Sequence, residues 1–150
     1  MLAVLLLPEP FDALGADHPA RDLEPAVCVA AVEPARLSYT LQSRLPAEVA
    51  DGLAAIQARR LLRALPEKVG AVVLFDPRAY PIARALLAMG DCELWYATHR
   101  FEPEGSERLR RRIAALDWQA RERSTLRFTS TDPLWERMAA WPRPDPRRGQ

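Results

Sequence analysis

Cysteine, histidine and glycine are scarce in this sequence, and each shortage excludes a kind of site. The two cysteines, Cys28 and Cys92, have no CxxC spacing and lie in apolar stretches, which predicts buried, reduced thiols. The two histidines, His18 and His99, are far apart and form no HExxH pattern, so we expect no metal site. With six glycines and no glycine-rich phosphate loop, a dinucleotide site and a P-loop are excluded, and we expect no cofactor.

Long apolar runs and a strong net charge are also missing. The opening run Leu2–Leu7 has no basic residue ahead of it and stops at Pro8. This run is too short for a signal peptide or a membrane span. We therefore predict a cytoplasmic protein with no membrane partner. The formal net charge of +1 gives no general reason to expect a nucleic-acid partner.

The composition is biased in one further way. Asparagine is absent, Lys68 is the only lysine, and 14 prolines stand against 6 glycines. A GC-rich bacterial genome explains the abundance of arginine, alanine and proline. Thermal adaptation is the alternative, because loss of asparagine and stiffer loops are thermophile tendencies.

The length of 150 residues predicts one domain with its own core. We assign residues 1–141 to a single α/β domain and residues 142–150 to a flexible tail rich in proline and arginine. Residues 69–99 read as a buried strand, an amphipathic crossover helix and a second strand, which is a βαβ unit. The predicted fold is three-layered and Rossmann-like without a dinucleotide motif, with helices on both faces of a mostly parallel, five-stranded sheet.

The strand order decides which polar residues meet. We predict that strands 70–75 and 93–98 are parallel neighbours, with the first strand on the other side of 70–75. Thr125–Ser130 is predicted as an edge strand beside 93–98. No clear helix joins Leu2–Leu7 to Ala26–Val32, so antiparallel pairing of these two strands, and hence a mixed sheet, stays open.

Four helices are predicted outside the βαβ unit, and the last begins at Asp132 with Leu134, Trp135 and Met138 packing back. The first covers Pro34–Leu45 and the second covers Ala47–Leu65, and their inward residues are expected to be Leu37, Leu41 and Leu45, then Val49, Leu53, Ile56, Leu61 and Leu65. A third helix is capped by Ser106 and runs to about Arg121, with Leu109, Ile113, Leu116 and Ala120 facing the core.

Polar residues gather at the predicted carboxyl ends of the strands, where open α/β sheets usually bind ligands. If these ends are neighbours, His99 is a candidate acid or base, Asp76 or Asp132 would orient it, and Ser130 is a candidate nucleophile. The competing interpretation is structural. Asp76 and Asp132 each precede a proline, which is the pattern of a helix N-cap.

Arginines supply two weaker signals. Arg78 and Arg100 could help a helix N-terminus to hold a lone anion. Arg108, Arg111 and Arg112 share a helix face that could neutralise phosphates of a nucleic acid. A solvated face with ion pairs to Glu104 and Glu107 is the competing interpretation of these three arginines.

Tryptophan points towards protein partners. Trp95 lies in an aromatic strand and Trp141 lies at the edge of the tail, and tryptophans are common interface anchors. The leading prediction is a non-catalytic α/β domain that acts through protein contacts, as a homodimer or an accessory subunit. The alternative is a small hydrolase or transferase that acts on a phosphorylated or acyl substrate through the strand-end residues.

Overall fold

A computed structural model describes residues 2–7, 13, 28–32, 39–65, 68–97 and 105–128. Its elements, in chain order, are β1 (Leu2–Leu7), β2 (Cys28–Val32), α1 (Tyr39–Arg44), α2 (Ala47–Ala64), β3 (Val69–Leu74), a 3-10 helix (Pro77–Ala79), α3 (Tyr80–Met89), β4 (Glu93–Ala97), α4 (Glu107–Arg123) and β5 (Leu126–Phe128). The predicted α/β class, with a parallel sheet and helices, is confirmed.

The strands are arranged in the order β2-β1-β3-β4-β5, and every neighbouring pair is parallel. The predicted parallel pairing of β3 with β4 is confirmed, and β1 lies on the other side of β3. The alternative that β1 and β2 pair antiparallel and make the sheet mixed is wrong, because these two strands are parallel. Residues 8–27 exceed the dozen residues that a parallel crossover needs, so a recognisable helix pattern was not required there.

One face of the sheet carries all the described α-helices. Its side chains, such as Val72 and Leu94, form one buried cluster with Ala54 of α2, Leu86 of α3 and Leu116 of α4. The chain connections from β2 to β3, from β3 to β4 and from β4 to β5 all run in the same direction across the sheet. Right-handed crossovers therefore bring their helices to the same face.

The helix α2 turns to the core a face that matches its sequence prediction only in part: Leu61 and Leu65 pack against the buried cluster as predicted. Ala50, Ala54 and Ala58 are its buried residues, whereas Val49 and Ile56 are 49% and 47% exposed. The alanines recur at i, i+4 and i+8, so they form an equally regular stripe of smaller side chains that lets α2 approach its neighbours closely. Leu41 of α1 is also exposed, against the sequence-based expectation.

The helix α4 follows its prediction closely. The hydroxyl oxygen of Ser106 accepts a hydrogen bond from the backbone N–H of Leu109 at 3.3 Å, so Ser106 is the N-cap. The four buried residues of α4 are those predicted: Leu109, Ile113, Leu116 and Ala120.

A partly buried hydrogen bond joins α4 to β4. The Tyr96 hydroxyl donates to Asp117 Oδ1 at 2.6 Å, and Asp117 Oδ2 accepts from Arg121 Nε at 3.0 Å. Burial, followed by the hydrogen bond to Asp117, raises the pKa of Tyr96 well above its ordinary value. Burial also raises the pKa of Tyr80 and of the Cys92 thiol.

The raised pKa values of Tyr80, Cys92 and Tyr96 predict a loss of stability in alkaline solution. The unfolded chain releases their protons at ordinary pKa values of 9.0 for Cys92 and 10.0 for the tyrosines, while the folded protein keeps them. The free energy of unfolding should therefore be constant from neutral pH to about pH 8.5 and should fall as the pH rises beyond that.

Urea unfolding at a series of pH values measures this loss. The variant Tyr96→Phe should show a shallower decline above pH 10, because it removes one of the titrating groups. A free energy of unfolding that stays level above pH 10 in the unsubstituted protein would contradict the prediction.

Candidate functional site

The carboxyl end of β3 bears Asp76 in a structural role. Asp76 Oδ1 accepts the backbone N–H of Arg78 at 2.9 Å, and Pro77 occupies the first position of the 3-10 helix. The N-cap interpretation of Asp76 is therefore confirmed. The Arg78 guanidinium also contacts both oxygens of the carboxylate, with its Nε 3.0 Å from each. The charge of Arg78, a predicted anion-binding residue, is thus already compensated by a carboxylate.

Most of the other predicted site residues lie outside the described residues. They are His99, Arg100, Ser130, Asp132 and Trp141. Trp95 is described and is only 4% exposed, and its indole N–H donates to Glu93 Oε2 at 3.1 Å. Trp95 is therefore buried within the chain, and its role as an interface anchor stays a prediction. Of the two described tryptophans, Trp118 of α4 is the exposed one, at 62%.

A different group of residues surrounds a cleft of about 560 Å³, which we call the arginine cleft. One wall is the end of α1 and the turn into α2, which contribute Ser43, Arg44 and Pro46. The other wall is the start of α4, which contributes Ser106, Arg108 and Arg112. Three arginines and two serines thus line a single concave surface.

The arginine cleft lies towards the carboxyl edge of the sheet. The backbone N–H of Thr125, just beyond α4, bonds to the Leu94 carbonyl near the start of β4 at 2.9 Å. The helix α4 therefore runs from the carboxyl edge to the amino edge, and α2, which leads into the start of β3, runs the same way. Both helices begin at the cleft, on the edge where α/β sheets commonly bind ligands.

Two helix N-termini therefore add to the positive potential of the cleft. The helices α2 and α4 are 18 and 17 residues long, and the unpaired N–H groups of a helix carry about half a positive charge at its N-terminus. The N-cap of α2 is Pro46, whose side chain makes no capping hydrogen bond. The first N–H groups of α2 therefore lack the side-chain acceptor that Ser106 supplies in α4.

The described part of the chain supplies no carboxylate to balance the charge of the cleft arginines. Within the described residues, Arg44, Arg108 and Arg112 make no ion pair with a carboxylate. The Nε atom of Arg112 is buried and has no hydrogen-bond partner there. Such an unsatisfied buried donor costs about 1–3 kcal/mol, and more when the group is charged. An anion in the cleft would reduce this cost.

The predicted basic face of α4 divides into two parts. Arg111 pairs with Glu107 one turn earlier at 2.7 Å, and both side chains are 79% exposed, which matches the solvated, ion-paired interpretation. Arg108 and Arg112 instead line the cleft. Spacing at i and i+4 indicated that these two arginines share a face, but nothing in the sequence paired them with Ser43 and Arg44. That approach results from the packing of α1 against α4.

Comparison with known proteins finds no matching family model, no matching curated protein and no matching solved structure. Within the described part of the chain, histidine, cysteine and acidic side chains do not gather in groups of three or more that could hold a metal ion. None of the described helices has both the length and the apolar character needed to cross a membrane.

Proposed function

We propose that this protein is a non-catalytic α/β binding domain that holds an anionic ligand in the arginine cleft. The observation that carries the proposal is the set of three arginines, Arg44, Arg108 and Arg112, which face one cleft without carboxylate partners among the described residues. Clustered guanidinium groups at helix N-termini are a well-suited environment for a carboxylate or a phosphate.

The chemistry of the lining favours binding over catalysis. Arginine stays protonated in proteins, so none of the three guanidinium groups serves as a general acid or base. Ser43 and Ser106 line the cleft, but the described lining residues include no histidine or carboxylate to activate a hydroxyl nucleophile. The hydrolase or transferase alternative depends on His99 with Asp76 or Asp132, and on Ser130, and stays a prediction.

We also propose that the fold has Rossmann-like layering, in which both faces of the sheet are covered. Leu5, Val73 and Trp95 point to the sheet face opposite the described α-helices, and all three are buried. The connection from β1 to β2 runs across the sheet in the opposite direction from the other connections. A right-handed crossover there would cover this second face.

Protein contacts are the second candidate function. The outward face of α2 exposes Val49 and Ile56, and α4 exposes Trp118. Exposed tryptophan and aliphatic side chains are enriched at protein interfaces, which supports a homodimer or an accessory subunit. A nucleic-acid partner for Arg108, Arg111 and Arg112 has weaker support, because Arg111 is already paired with Glu107.

Thermal unfolding in sodium sulfate and in sodium chloride of equal ionic strength tests the anion-binding proposal. Sulfate is a small anion with tetrahedral oxygens that three guanidinium groups can hold. If it binds the folded protein, a concentration about ten times its Kd should raise Tm by about 3–5 °C. The variant Arg112→Gln should lose most of this rise.

The control variant is Arg110→Gln, which removes the same charge from the same helix at an exposed position outside the cleft lining. It should keep the full sulfate effect. Sulfate also stabilises proteins in general by exclusion from their surface, and the Arg112→Gln variant measures that background. Equal sulfate effects in the unsubstituted protein and both variants would contradict the proposal.

A further inference from the structure

The geometry points to a phosphate monoester with a non-aromatic organic group as the ligand of the arginine cleft. This inference rests on the proposed anion-binding function and names the class of ligand. Three features of the lining carry it: the number of positive charges without a carboxylate partner among the described residues, the hydrogen-bond donors that they bring, and the kind of apolar surface beside them.

The charge of the cleft suits a dianion better than a monoanion. Arg44, Arg108 and Arg112 bring three positive charges, and the N–H groups at the starts of α2 and α4 add partial charges that the first-turn carboxylates of Glu48 and Glu107 offset in part. A phosphate monoester carries about 1.5–2 negative charges at neutral pH, whereas a carboxylate carries one. A carboxylate would leave most of the guanidinium charge uncompensated.

The donors of the cleft outnumber the oxygens of a carboxylate. Each guanidinium presents a planar fork of N–H donors that matches two oxygens of a phosphate. Ser106 Oγ accepts a hydrogen bond from the Leu109 N–H, so its own hydroxyl hydrogen can be donated to a ligand. A phosphate monoester offers three terminal oxygens, each able to accept more than one of these hydrogen bonds.

The remaining lining is aliphatic. Leu45, Pro46, Ala47 and Leu109 line the cleft, and its described lining residues include no aromatic side chain on which a base could stack. The volume of about 560 Å³ lies within the range of small-molecule sites. The organic group of the ligand is therefore a sugar or a short aliphatic chain, held against Leu45 and Leu109.

Isothermal titration calorimetry with glycerol 3-phosphate, acetate and adenosine monophosphate tests this assignment. Near neutral pH, glycerol 3-phosphate should bind at least about 10-fold more tightly than acetate. Adenosine monophosphate should bind no more tightly than glycerol 3-phosphate. Arg112→Gln should weaken the binding of glycerol 3-phosphate by about 10-fold or more, while Arg110→Gln should leave it unchanged.

The pH dependence adds a readout that a general loss of folding would not mimic. The second phosphate pKa is near 6, so at about pH 5 only about one tenth of the ligand is a dianion, and its affinity should fall by up to about 10-fold. The cleft arginines keep their charge over this range. Sulfate remains a dianion, so its affinity should stay constant.

Two outcomes overturn the assignment of a phosphate monoester with a non-aromatic organic group without touching the proposed function; the first contradicts the phosphate and the second contradicts the non-aromatic group. The first is that acetate binds as tightly as glycerol 3-phosphate and Arg112→Gln weakens both. The second is that adenosine monophosphate binds at least about 10-fold more tightly than glycerol 3-phosphate, which would require an aromatic contact. If sulfate, glycerol 3-phosphate and acetate all fail to bind, the proposed function fails and the ligand assignment fails with it.

Discussion

Replacing Leu74 by alanine is expected to lower the free energy of unfolding by about 2–5 kcal/mol. Leu74 lies in β3 between β1 and β4, opposite Leu6 and Tyr96, and its side chain is fully buried. Truncation there removes apolar contacts and leaves a cavity in the part of the sheet least able to collapse around it. Urea unfolding measures the change.

The matched control is Ile56→Ala, which also truncates a branched aliphatic side chain. Ile56 lies on the exposed face of α2, so its truncation should change the free energy of unfolding by less than about 1 kcal/mol. Alanine is also the better helix former, which offsets part of the lost contact. Equal losses for Leu74→Ala and Ile56→Ala would show that α2 is turned the other way.

Replacing Gly105 by alanine is the second substitution with a large expected effect. Gly105 has a φ of +96°, and a Cβ added there would lie 2.7 Å from Leu109 Cδ2. The backbone strain and the displacement of Leu109 should together lower the free energy of unfolding by about 1–3 kcal/mol. Since Leu109 lines the arginine cleft, anion affinity should fall as well.

Gly52→Ala provides the opposite case. Gly52 lies within α2, and a Cβ built there meets no atom within 4 Å. The substitution should raise the free energy of unfolding by about 0.5–1 kcal/mol, because alanine favours the helical backbone. Chemical denaturation of both variants gives the comparison. A loss for Gly52→Ala or a gain for Gly105→Ala would contradict the backbone geometry described above.

The arginine cleft shows where sequence reasoning about the site succeeds and where it stops. The spacing of Arg108 and Arg112 places them on one face of α4, and Ser106 marks the start of that helix. The contribution of Arg44 has no signal in the sequence, since α1 is short and its arginine resembles any cation near a helix C-terminus. The identity of the cleft depends on which helices become neighbours.

The sequence by itself determined the local structure of this protein. The βαβ unit of β3, α3 and β4, the capping of α4 by Ser106 and the N-cap role open to Asp76 all follow from short-range patterns. These features depend on backbone propensities, capping hydrogen bonds and periodicity within a few residues, so they can be recognised before any partner element is known.

Only the tertiary structure decided the choices between equivalent surfaces. The sequence of α2 offers two stripes, and the alanine stripe faces the core because α2 packs closely on α3. The parallel pairing of β1 with β2 and the meeting of Arg44 with Arg108 and Arg112 likewise depend on elements far apart in the chain. Such contacts are selected by the packing of the whole domain, which no local pattern encodes.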